Sequence, residues 1–179
     1  MSKADVLKTI KDEEIEYVDI RFTDPRGKLQ HVTLIADEVD EDFLEEGFMF
    51  DGSSIQGWKS IDQSDMKLMP DTDSAYMDPF YAEKTLCMHC SIVEPDTGEG
   101  YDRDPRGTAE RAEAFLKSSG IGDTAFFGPE AEFFLFDDVR YSVAINKVSY
   151  EIDALDASWN TDTEYEMGNT GHRPGVKGG

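Results

Sequence analysis

Hydrophobic positions change their period several times along the chain, and each change marks an element. Ser2 and Asp5 form a capping pattern ahead of Val6, Leu7 and Ile10, which predicts a short amphipathic helix within residues 1–14. Residues 17–22 alternate, with Val18, Ile20 and Phe22 on one face, as in a half-buried strand. Asp24-Pro25-Arg26-Gly27 is a turn, and residues 28–35 are the strand returning from it. Helical spacing resumes at Val39, Phe43 and Leu44 and stops at Gly47, a natural C-terminal cap. Phe48-Met49-Phe50 then runs into Asp51-Gly52-Ser53-Ser54, where Gly52 is expected to take a positive φ and hold Asp51 at a sharp exposed bend. By composition alone this stretch is an ordinary turn. Further strands are predicted at 66–69, 75–77 and 85–93, separated by Pro70 and by Asp78-Pro79. Several strands packed on short helices predict a small α+β domain.

The second half is patterned differently. Residues 94–101 are polar and rich in breakers, as in a linker. Asp104 followed by Pro105 starts a helix whose buried stripe is predicted as Ala109, Ala112, Phe115 and Leu116, ending at Gly120. Residues 126–136 are the most apolar run of the chain and predict a buried strand with Glu130 and Glu132 on one face. Their Cα atoms would lie about 6.6 Å apart. Two like charges in such a place need a cation, a proton or basic partners. Spacing leaves two readings open: a pair of structural salt bridges, or a divalent site suited to Mg²⁺ or Mn²⁺ rather than Zn²⁺. Shorter strands are predicted at 139–144 and 148–152. Residues 159–179 are polar and Gly-rich, so this half has little with which to build a core.

Charge sharpens the picture. A net charge of −22 repels phosphate backbones and anionic lipid, which argues against nucleic-acid or membrane binding and suits bound cations. No apolar run approaches membrane length and the first residues lack a signal-peptide core, so a cytoplasmic protein is expected. Cys87-Met88-His89-Cys90 invites a redox or zinc reading, but on a strand positions three apart face opposite sides, and ordinary strand cysteines are expected. There is no P-loop, and His31, His89 and His172 are too scattered to suggest nucleophile chemistry.

Four motifs in order then resemble one family. Phe50-Asp51-Gly52-Ser53-Ser54, followed by Gln63-Ser64-Asp65 and Leu68, is similar to the N-terminal signature of glutamine synthetase. The run from Phe127 to Phe136 resembles its metal strand. Gly100-Tyr101-Asp102-Arg103-Asp104-Pro105-Arg106 and Gly171-His172-Arg173-Pro174 through Lys177-Gly178-Gly179 resemble the bacterial type I enzymes. The resemblance implies a β-grasp domain at about 15–98, a linker at 99–104, and the start of a catalytic α/β domain over 105–179. It implies ATP-dependent joining of ammonia to the γ-carboxyl of glutamate through a γ-glutamyl phosphate, in a twelve-subunit ring with active sites between neighbouring subunits. By similarity Asp51 is the base that deprotonates ammonium, Ser54 lines the ammonium pocket, and Glu130 and Glu132 each bind one of two divalent ions.

The departure from the family is length, since members are more than twice as long. The 179-residue chain alone is therefore expected to be inactive and poorly folded after about residue 104. Two other readings remain: a relative that joins glutamate to polyamines, and a short non-catalytic β-grasp protein that binds synthetase subunits.

Overall fold

The computed structural model describes residues 1–154. The chain divides into two compact units, Met1–Ala125 and a second beginning at Phe126. The motif at 171–179 and the polar stretch from Trp159 lie outside the described residues.

The first unit opens with α1 (Lys3–Asp12), where Ser2 Oγ accepts from the Asp5 backbone N–H and Asp5 Oδ2 accepts from that of Ser2, both at 3.1 Å. This closed capping box satisfies two of the helix's orphan donors, and Val6 turns inward. Strands β1 (Tyr17–Thr23) and β2 (Leu29–Ile35) pair antiparallel around the predicted turn. There Asp24 Oδ1 accepts from the N–H groups of Arg26 and Lys28 at 2.9 Å each. Helix α2 (Glu41–Glu46) starts on Asp40, whose carboxylate accepts from Phe43 N at 2.8 Å, and stops at Gly47. Then follow β3 (Phe48–Asp51), β4 (Asp65–Pro70), β5 (Tyr76–Met77), β6 (Thr85–Val93) and α3 (Pro105–Ser119).

These strands form one sheet in the order β2-β1-β6-β4-β3, with β5 also on β6. β1 and β6 run parallel at its centre and the other pairs are antiparallel. This is the β-grasp arrangement, and the α+β class is as expected. Val18, Ile20 and Phe22 of β1, Met66 and Leu68 of β4, and Leu86, Met88, Cys90 and Ile92 of β6 build the core beneath Val6 and Leu44. Among the described residues no helix is long and apolar enough to cross a membrane.

The two cysteines divide as strand geometry requires. Cys90 lies in the core, whereas Cys87 sits on the other face with its Sγ 3.8 Å from Asp78 Oδ2. Burial pushes the Cys87 thiol up to about 11 and the Cys90 thiol to about 12, so both stay protonated and unreactive at neutral pH.

Beside Cys87 lies a polar cluster that the alternation of β1 gave no hint of. Asp19 is fully buried and accepts from Arg21 Nε at 2.6 Å, His31 Nδ1 at 2.7 Å and Thr33 Oγ1 at 2.7 Å. Arg21 also reaches Asp78 Oδ2 at 2.7 Å, tying β5's turn to the sheet. Burial pushes the Asp19 carboxyl up, but the hydrogen bonds from Thr33, Arg21 and His31 outweigh it and leave it below the usual carboxylate range. A carboxyl depressed in the folded state stabilises above its unfolded pKa, near 3.9, and loses that contribution as pH falls through the folded value. Asp19→Asn is therefore expected to destabilise the chain by about 3 kcal/mol at pH 7. The gap from the parent should narrow below about pH 4, as urea unfolding at the two pH values will show.

Two expectations fail in the second half. The predicted stripe of α3 is not buried: Phe115 is 71% exposed, Ala109 and Ala112 are exposed and Leu116 is half-buried, and Gly107 is the helix's one fully covered residue. Within Met1–Ala125 little covers that face. The helix is instead fixed at its start, where buried Asp104 accepts from Arg106 N and, across the chain, from Ile92 N, both at 3.0 Å. The segment expected as a linker is likewise held, because Tyr101 N donates to Ile92 O at 2.8 Å and Val93 bridges Gly100.

The second correction concerns 126–136. No strand forms there, and Phe126 and Phe127 are 94% and 90% exposed. A strand gains its stability from a ladder partner and a covered face, and none of the described residues supplies either to this run. The second unit's described order is a hairpin of β7 (Asp138–Ala144) and β8 (Lys147–Asp153), close to the predicted pair.

Candidate functional site

The Asp51 turn grows from the end of β3. Asp51 pairs in register with Asp65 at the start of β4, and Gly52 N donates to Ser64 O at 2.7 Å, so the chain leaves the sheet at a fixed point. One turn of 3₁₀ helix, Gly52–Ser54, follows. Asp51 Oδ1 accepts from Ser53 N at 2.9 Å and from Ser53 Oγ at 2.6 Å, an Asx turn closed twice by the same residue. Both the Asp51 carboxylate and Ser54 remain exposed on this turn.

Gly52 is required for a different reason than expected. Its φ is not positive; instead a Cβ would run into Met66 Sδ, lie 2.6 Å from Met66 Cγ and 3.1 Å from Ser64 O. Met66 is fully buried, so it has little room to give. Gly52→Ala is expected to lower stability by about 1–3 kcal/mol through overpacking. Thermal unfolding of the variant checks this.

Hydrogen bonds from the Ser53 side chain and backbone, with a smaller one from Ser64, hold the Asp51 carboxyl below the usual range. It is ionised at neutral pH. Asp51 and Asp65 stand side by side at the sheet's edge, and neither joins an ion pair among the described residues. Two exposed carboxylates without an ion-pair partner among the described residues make the potential at this edge negative.

The rest of the loop is held by packing. Ile55 and Trp58 are buried, and Trp58 meets the rings of Phe22 (centroids 5.5 Å apart), Phe50 (6.1 Å) and Tyr101 (5.6 Å). Lys59 Nζ lies 2.6 Å from Glu94 Oε2. The sequence presents Arg103 only as part of the 100–106 motif, with no role of its own, and does not single out Trp58, for which a lone aromatic after the turn is the available signal.

Glu130 and Glu132 lie in the second unit, exposed on the irregular stretch between α3 and β7. Among the described residues no three His, Cys, Asp or Glu gather in a way that could hold a metal ion. A divalent ion takes six or more oxygens, so the described residues do not by themselves fit a metal centre.

Comparison with known proteins places this arrangement. Residues 14–95 match the glutamine synthetase β-grasp domain, and residues 102–177 match the glutamine synthetase catalytic domain. The chain belongs to the glutamine synthetase family. A glutamine synthetase of Cereibacter sphaeroides is 77% identical over the whole chain, and one of Rhizobium meliloti is 58% identical over 98% of it. The chain spans only 38% and 37% of those relatives. A Plasmodium falciparum glutamine synthetase solved by cryo-electron microscopy shares the fold, with a TM-score of 0.65 at 24% identity over 87% of this chain and 30% of that one.

Proposed function

We propose that this chain supplies the β-grasp domain and the start of the catalytic domain of an ATP-dependent ligase that joins ammonia to glutamate. The observation that carries the reading is Asp51: ionised, exposed and held on a turn that Ser53 and Ser64 fix. Membership of the glutamine synthetase family supports it.

The chemistry asks for such a group. A carboxylate is a poor electrophile, so the γ-carboxyl of glutamate is first activated by ATP as an acyl phosphate. Ammonium has no lone pair for attack, and a base beside the intermediate must take its proton. The Asp51 carboxylate attracts the cation, accepts that proton, and releases ammonia next to the activated carbonyl. Ser54, on the same turn, offers a hydroxyl acceptor to the N–H groups of the ion. Closing the site over this pair removes water that would hydrolyse the acyl phosphate, and the loss of solvent raises the Asp51 pKa toward the value a working base needs.

Bound Mg²⁺ or Mn²⁺ supplies positive charge to the phosphates in reactions of this class. Glu130 and Glu132 are proposed as one ligand each to two such ions, completed by groups that the described residues do not contain. The proposal extends to a cytoplasmic, twelve-subunit ring in which the Asp51 turn of one subunit faces the metal-bearing sheet of the next. The test is product formation by the whole protein. Ammonium should drive glutamate- and ATP-dependent release of phosphate with glutamine in equal amount, and turnover with putrescine but not ammonium would replace this reading with a polyamine ligase.

A further inference from the structure

We infer that Arg103 is a positioning residue for the turn that carries Asp51 and Ser54, an inference that rests on the reading of Asp51 as the proton acceptor. Its guanidinium Nη1 donates to the carbonyl of Gly57 at 2.7 Å and to that of Trp58 at 3.1 Å. No other donor reaches those two carbonyls among the described residues. They sit at the far end of the loop, where Gly57 takes a φ of 90° and the chain reverses.

The arginine stands on a rigid base. Two residues earlier Tyr101 N is bonded to Ile92 O, and one residue later Asp104 accepts from Ile92 N. Ile92 is fully buried in β6 at the middle of the sheet. Arg103 thus carries the fixed geometry of the sheet centre out to the loop, beside the Arg26–Gln56 bond at 2.6 Å and the Lys59–Glu94 pair at 2.6 Å, and it alone reaches the carbonyls of Gly57 and Trp58 among the described residues. The Trp58 indole N–H is buried and has no hydrogen-bond partner among the described residues, so the ring is held by packing, while the backbone on its C-terminal side is held by the Arg103 bonds and the neighbouring Lys59–Glu94 pair. Trp58 packs on Phe50, the residue immediately before Asp51. A shift at Trp58 therefore reaches Asp51 through one ring contact and one peptide unit.

The consequence is specific to the ammonium half of the reaction. Misplacing a base by a fraction of an ångström weakens attack without altering how glutamate or ATP is held. The experiment compares Arg103→Gln and Arg103→Lys with the parent in the full-length protein, together with Asp51→Asn. Arg103→Gln is expected to raise the KM for ammonium about tenfold or more, with the KM values for glutamate and ATP changed less than about twofold. Arg103→Lys, which keeps a charged donor, should recover part of the loss. Acrylamide quenching of the Trp58 emission, taken as the part of the signal that is lost on Trp58→Phe, should increase in Arg103→Gln as the ring loosens.

An unchanged ammonium KM in Arg103→Gln overturns the inference. So does a uniform change in all three KM values with lost expression, which would make Arg103 a general structural residue. If Asp51→Asn has no effect on ammonium use, the reading of Asp51 itself fails. If Asp51→Asn abolishes ammonium use and Arg103→Gln does not move its KM, only the Arg103 inference fails.

Discussion

Asp51→Asn in the full-length protein is expected to cut glutamine formation by about 10²–10⁴-fold while leaving glutamate-dependent phosphorylation by ATP largely in place. The asymmetry follows from the site. Asp51 is held at the sheet edge by its own turn, through Ser53 and the Gly52–Ser64 bond, and it makes no ion pair among the described residues that its loss would strand. Asn keeps the shape and can still accept from Ser53, so the turn should survive. What disappears is the negative charge that, on the proposed function, draws in ammonium and takes its proton. Single-turnover measurement of acyl phosphate with and without ammonium separates the two half-reactions. Equal loss of both would mean that Asp51 supports the fold or the nucleotide site rather than the proton transfer.

The second large effect concerns the chain taken alone. The 179-residue polypeptide is expected to show no ATP- and glutamate-dependent phosphate release, and no stoichiometric binding of Mn²⁺ in a calorimetric titration. Glu130 and Glu132 are two carboxylates on an unpaired, exposed stretch, and a divalent ion needs several further oxygens in fixed positions. Charge alone will gather Mn²⁺ loosely around so acidic a chain, but Glu130→Gln with Glu132→Gln should leave that weak binding nearly unchanged. In the full-length protein the same pair of substitutions should weaken metal binding by at least about tenfold. A tight 1:1 Mn²⁺ site in the 179-residue chain that vanishes on substituting Glu130 would contradict this.

What the sequence disclosed depended on whether the deciding partner lay nearby in the chain. The capping box of Ser2 and Asp5, the turn at Asp24, the stop at Gly47 and the start at Asp104 are local devices, and each stands where the pattern put it. The alternation of Val18, Ile20 and Phe22 announced a buried face because one side of a strand reports its own environment. Asp19 was invisible for the same reason: a carboxylate in a polar position looks solvated until Arg21, His31 and Thr33 are seen closing over it.

The failures were failures of partner. Phe115 and the run from Phe126 are apolar enough to be buried, but burial needs a second surface, and the described residues do not present one. Asp51 and Ser54 are proposed as site residues on resemblance; composition alone gives only a turn. The reason for Gly52 was misread, since a sequence shows that glycine is present but not whether φ or the nearness of Met66 demands it. Arg103 could not have been chosen among the chain's basic residues without the loop carbonyls it reaches.

The most direct test is a substrate assay on the full-length protein. Glutamate, ATP and either ammonium or putrescine are supplied with Mg²⁺, and glutamine and phosphate are both counted. Equal amounts of glutamine and phosphate with ammonium, lost in Asp51→Asn, are the expected result. Turnover that depends on putrescine and ignores ammonium, or no turnover with either, would contradict the assignment of the Asp51 turn as an ammonium site.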